Sequence, residues 1–87
     1  MEEKRPLNTL TATLDGVSYT LRGDASLPQL QQTVDAVQRK LVAIRRAAPH
    51  YSGQRVAMLA ALQLAEELVQ LQEEYLEMLE AADLGRK

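Results

Sequence analysis

The chain contains no cysteine, no tryptophan and no phenylalanine. Without cysteine there is no disulfide framework, no thiolate metal site and no thiol nucleophile, which fits a reducing cytoplasm. The single histidine, His50, sits between Pro49 and Tyr51 with no carboxylate at a ligand spacing, so it reads as a loop or interface residue rather than a ligand or base. No glycine-rich phosphate loop is present. The longest apolar run, residues 56–62, falls far short of the roughly 20 residues a membrane span needs. The first six residues, MEEKRP, lack the apolar stretch of a secretory signal. A soluble cytoplasmic protein with no membrane contact, no metal and no cofactor is expected.

Catalytic groupings are missing too. Glu66–Glu67 and Glu73–Glu74 are adjacent pairs, and adjacent residues on a helix face different ways, so neither pair converges. Ser18, Ser26 and Ser52 have no base nearby in sequence. The expectation is that this is no enzyme.

What the chain does have is strong periodicity. Its 87 residues allow one domain, near the lower limit at which a single core suffices. Leu10, Ala12 and Leu14 alternate with threonines, and Val17, Tyr19 and Leu21 alternate with polar residues. Asp15-Gly16 lies between the two runs, and Asp-Gly suits a two-residue type I′ turn. A hairpin follows, with one apolar face that must lie on something, since two strands alone are marginal in water.

Ser26 with Gln29 three residues on forms a capping-box start, and Pro28 is tolerated in a first helical turn. Helix 1 is expected over residues 27–47, with Leu27, Leu30, Val34, Val37, Leu41 and Ile44 as one narrow apolar stripe. Pro49 ends it. Ser52 caps a second helix running to about Asp83. Residues 56–62 of that helix are all apolar, and seven residues span nearly two turns, so the helix is apolar on every face there. A chain this short cannot surround such a helix, so the missing cover must come from another chain.

Further along, the apolar positions thin to a seam at steps of three and four: Ala61, Leu64, Leu68, Leu71, Tyr75, Met78 and Ala82. This is a coiled-coil repeat of about three heptads. Leu62, Val69, Leu76 and Leu79 lie beside it, so four-helix packing is open as well as a two-stranded coil. With the seam as a and d, Glu67 and Glu74 take g positions and Ala65, Gln72 and Leu79 take e, which favours a parallel pair. The expected oligomer interface is Met58, Ala61, Leu62, Leu64, Leu68, Leu71, Tyr75 and Met78.

The architecture expected is α+β. Residues 1–7 form a flexible arm. A head of hairpin and amphipathic helix spans residues 8–50, a dimerisation helix and coiled coil residues 51–84, and a short tail residues 85–87. The formal net charge of −2 hides an asymmetry. Residues 1–55 carry eight cations against five carboxylates, whereas residues 56–87 carry two against seven. The basic cluster Arg39, Lys40, Arg45, Arg46 and Arg55 is the candidate partner-binding site. One reading is a solvated helix end, helped by cations near its C-terminal dipole; the other is docking to an acidic surface. Nucleic acid is disfavoured, because the chain is net acidic and carries no aromatics arranged for stacking beside the cations.

The ordered combination of TLTATLDGVSYTLRGD, VDAVQRKLVAIR and SGQRVAMLAALQLAEELVQLQEEY resembles the ZapA family of bacterial cell-division proteins, over about residues 8–76. The apolar A-A-L block followed by A-E-E-L is its more specific part. The resemblance implies a small head, a long helix that pairs in a dimer, and two dimers joined as a tetramer. It also implies that the heads bind FtsZ, the tubulin-like GTPase of the division ring, and crosslink or bundle its filaments at the division septum. A basic position of the family near the end of helix 1 falls on Arg45. Two further charged positions of the pattern hold Val17 and Gln54 here. Two other readings are an assembly chaperone or holdase, distinguished by promiscuous clients, and a dimeric nucleic-acid binder, distinguished by steep salt dependence.

Overall fold

The computed structural model describes residues 6–85; residues 1–5 of the expected arm and 86–87 of the expected tail lie outside the described residues. Four elements follow in order: β1 (Asn8–Leu14), β2 (Val17–Gly23), α1 (Leu27–Ala47) and α2 (Gly53–Gly85). The α+β hairpin-then-two-helices reading of the sequence is the fold observed.

The strands pair antiparallel, with Leu10 opposite Leu21, Ala12 opposite Tyr19 and Leu14 opposite Val17. Asp15 and Gly16 make the turn at φ 50° and 79°. Both are in the left-handed region, as a type I′ turn demands, and Asp is among the few side chains that enter it readily. The apolar residues therefore share one face of the hairpin, while Thr11 and Thr20 pair their hydroxyls at 3.3 Å on the other. The apolar face is covered in part, with Leu21 of β2 half-buried. Leu10, Ala12 and Leu14 are half-buried, whereas Val17 and Tyr19 of β2 are each 51% exposed. At the open end of the hairpin, the Asn8 side-chain amide donates to the Ala25 carbonyl at 2.7 Å, tying β1 to the link into α1.

The expected caps are present. Ser26 Oγ accepts the Gln29 amide at 3.2 Å, and Gln29 Oε1 accepts the Ser26 amide at 3.1 Å, a closed capping box. Ser52 Oγ accepts the Arg55 amide at 3.2 Å and starts α2. Along α1, Leu30, Val34, Leu41 and Ile44 are buried. Leu27 departs from the expected stripe and is half exposed. Helical side chains lean toward the N-terminus, so one at the first position leans past the end of its own helix.

The core sits where α1 meets the first turns of α2. Leu41, Ile44, Val56 and Ala60 form it, with Leu14, Val37, Tyr51 and Leu59 packed around them. Val56 is wholly buried. Beyond Leu64 the second helix leaves the head, and every residue of 65–83 is exposed. At ~1.5 Å per residue this arm is roughly 28 Å long. The radius of gyration, 17.8 Å, exceeds the ~12 Å of a compact chain this long, as a projecting arm requires.

Candidate functional site

The arm carries the first surface. Met58, Leu62, Leu68, Val69, Leu71, Tyr75, Leu76, Met78 and Leu79 are all about half exposed or more. On a helix turning ~100° per residue all but Leu79, which lies between, fall on two stripes. Leu64, Leu68, Leu71, Tyr75 and Met78 form one; Met58, Leu62, Val69 and Leu76 form the other, roughly 120° around the axis. Of the eight residues expected at an interface, Leu64 is half-buried against the head and the other seven are exposed in this single chain.

The first stripe runs directly into a groove in the head. An apolar cleft of about 310 Å³ opens beneath the uncovered β2 face. Leu14, Asp15, Val17 and Tyr19 form one wall; Val37 and Leu41 of α1, with Gly53, Ala57, Ala60, Ala61 and Leu64 of α2, form the rest. The small side chains of Ala57 and Ala61 keep the helix surface low there. The sequence pointed to the seam but not to this cleft, because its hairpin wall is about forty residues distant along the chain.

The five cations of the basic cluster do not converge. Arg39 and Arg46 are exposed and seven residues apart on α1, so they share its outer face, opposite the buried stripe. Neither has an ion-pair partner among the described residues. Lys40 turns toward α2 and meets Glu67 at 2.9 Å, an exposed pair of the kind that contributes at most about 1 kcal/mol. The Arg55 guanidinium lies 4.1 Å from the centre of the Tyr51 ring, which in turn packs edge-on to His50.

Arg45 is engaged within the head. Its Nε donates to Asp15 Oδ1 at 2.9 Å and its Nη2 to Asp15 Oδ2 at 2.7 Å, a bidentate fork. Its Nη1 donates to the carbonyls of Pro49 and Tyr51. Asp15 lies in the hairpin turn and the two carbonyls in the α1–α2 loop, so one guanidinium joins three segments. The hydrogen bonds between the two side chains hold the Asp15 carboxyl below its ordinary pKa and raise that of Arg45; desolvation opposes both shifts, and the opposite charge of each partner adds a smaller push in the same direction as the hydrogen bonds. Sequence reading had Asp15 only as a turn former. A charged Asp where Asn would also serve the turn is the one signal that it had a partner.

Among the described residues, no group of three His, Asp or Glu is placed to hold a metal, and no helix is long and apolar enough to cross a membrane. The fold and its surfaces define an α+β head of hairpin and helix bearing a projecting helical arm with apolar faces. The family model described as Cell division protein ZapA matches residues 10–85, and the chain belongs to that family of cell-division proteins. Its fold is similar to that of a ZapA mutant dimer from Geobacillus stearothermophilus, with a TM-score of 0.71 and 24% sequence identity over 95% of this chain and 96% of that one. No curated protein matches it in sequence.

Proposed function

We propose that this chain is a non-enzymatic crosslinker of FtsZ filaments, acting in the cytoplasm at the division septum as a homodimer that pairs further into a tetramer. The observation that carries the reading is the arm: every residue of 65–83 is exposed, yet they bear two rows of large apolar side chains. Such rows mark a protein contact. A second copy of the chain supplies the cover. Its α2 lies along the first stripe and into the cleft under β2, which opens on the same side of the helix. The second stripe is left for a further pair of arms, since a helix in a four-helix assembly meets two neighbours.

Heads held apart on stiff arms suit a crosslinker. Each head docks weakly, through cations on α1 facing an acidic filament, and the linked heads gain from one another by effective concentration. Arg39 and Arg46 are exposed for this role, and Arg45 lies beside them. The test combines solution mass by light scattering with co-sedimentation on polymerised FtsZ. A dimer–tetramer equilibrium with the chain in the polymer pellet, and filaments gathered into bundles under the electron microscope, is the expected result. A stable monomer, or an oligomer that stays in the supernatant, overturns it.

A further inference from the structure

Arg45 occupies the position at which the family resemblance suggests direct contact with the filament, but four of its N–H donors are already taken within the head. An arginine has five. Its charge is matched by Asp15, so the pair presents little net field. The Asp15 side chain is only 19% exposed. For Arg45 to turn outward, that carboxylate would be left partly buried and unpaired, a costly state.

The pair also stands at a junction. Asp15 belongs to the hairpin turn, Arg45 to the last turns of α1, and Pro49 and Tyr51 to the loop. The start of α2 is adjacent too, because a Cβ built on Gly53 would lie 3.7 Å from Asp15 Oδ2. Beside this junction, the turn and α1 enclose a shallow groove of about 210 Å³, bounded by Thr13, Gly16, Gln38, Val42 and Arg46. A buried Gln38 side-chain oxygen there has no hydrogen-bond partner. A two-stranded hairpin is not rigid by itself, so the shape of this surface depends on the fork.

We infer that Arg45 is a positioning residue: through its fork to Asp15 and its bonds to the loop it fixes the hairpin turn against α1, and an acidic protein surface docks on the resulting face through the exposed Arg39 and Arg46, not through Arg45. This rests on the filament-binding reading above and assigns the roles within it.

The two possible roles of Arg45 predict opposite effects for Asp15→Asn. That change breaks the fork while retaining every cation. If Arg45 positions, Asp15→Asn weakens co-sedimentation with polymerised FtsZ as much as Arg45→Ala does, and the double variant is no worse than either. Arg45→Lys, which keeps the charge but lacks the fork, behaves like Arg45→Ala. The loss is roughly tenfold if the docking-competent arrangement falls to about a tenth of the population. The salt dependence of binding separates charge from shape. It is retained in Asp15→Asn and Arg45→Ala and becomes shallower in Arg39→Ala/Arg46→Ala. Hydrogen exchange at the turn and loop amides of the free protein supplies a readout without the filament, with faster exchange expected in the two fork variants at unchanged dimer mass.

If Asp15→Asn binds as well as the parent or better while Arg45→Ala loses binding, Arg45 contacts the filament directly and the inference falls. Unchanged exchange in the fork variants overturns it as well. If the parent chain itself stays in the supernatant while exchange responds as expected, the filament reading and the docking role both fall and only the fork's hold on the turn survives.

Discussion

Leu68 lies on the first apolar stripe of the arm and is 57% exposed in the single chain, so its replacement leaves the head untouched and acts only where a second chain covers it. Fully burying a leucine is worth about 1.5–3 kcal/mol. Covering the exposed fraction is therefore worth about 1–1.7 kcal/mol per copy, and about 2–3.5 kcal/mol across a symmetric dimer. Leu68→Glu forfeits this, which alone raises the dimer dissociation constant about 30- to 300-fold. It also places two carboxylates face to face in a dry seam, which adds several kcal/mol more. Sedimentation equilibrium over a hundredfold range of concentration reads the change directly. Leu68→Gln separates lost burial from charge, and Gln63→Glu, an exposed site off both stripes, controls for added charge. The expected outcome is a monomer for Leu68→Glu, a weakened dimer for Leu68→Gln and parental mass for Gln63→Glu. The helical circular dichroism of Leu68→Glu falls as well, because an unpaired arm frays. A Leu68→Glu chain of parental mass at micromolar concentration would refute the seam.

Three other outcomes follow from the head. Val56→Ala removes two carbons from the wholly buried side chain of the core and lowers stability by about 2 kcal/mol, seen as an earlier denaturant midpoint with unchanged slope. Gly16→Ala meets no neighbour but forces a side chain into φ 79°, so it costs about 1–2 kcal/mol through the backbone alone; thermal unfolding of the variant checks this. The Asp15 carboxyl titrates below its ordinary 3.8 in the fold, so its contribution to stability is present above that pH and is lost as the pH falls through the depressed value. Acid unfolding of Asp15→Asn therefore lacks that component, and a parental acid profile in the variant would remove the fork from the account.

Most of the fold was legible because it is written in local signals. The Asp-Gly turn, the capping box at Ser26 and Gln29, the proline at 49 and the change of period from two to 3.6 each act over a few residues. What the sequence did not reveal lies at long separations. Asp15 and Arg45 are thirty residues apart, and Lys40 and Glu67 meet only because α2 folds back along α1. The basic cluster looked like one patch because its members are close in sequence, but helix geometry sends Lys40, Arg45 and Arg46 to three different surroundings. Leu27 matched the apolar stripe in spacing and is exposed all the same, since a pattern of positions does not show where a helix end outruns its cover.

The head and the arm share very little. Among the described residues, the ion pair that joins them beyond Leu64 is Lys40–Glu67, and the core ends before it. The arm is therefore a spacer whose length is independent of the head. Adding or removing one heptad beyond Glu74 would move the far end by about 10.5 Å while keeping both stripes in phase and leaving every head contact unaltered. Under the crosslinking function proposed above, that increment would set the gap between the joined filaments, so their spacing would be tuned in discrete steps by insertions and deletions in a few exposed turns, with no adjustment needed at the docking face.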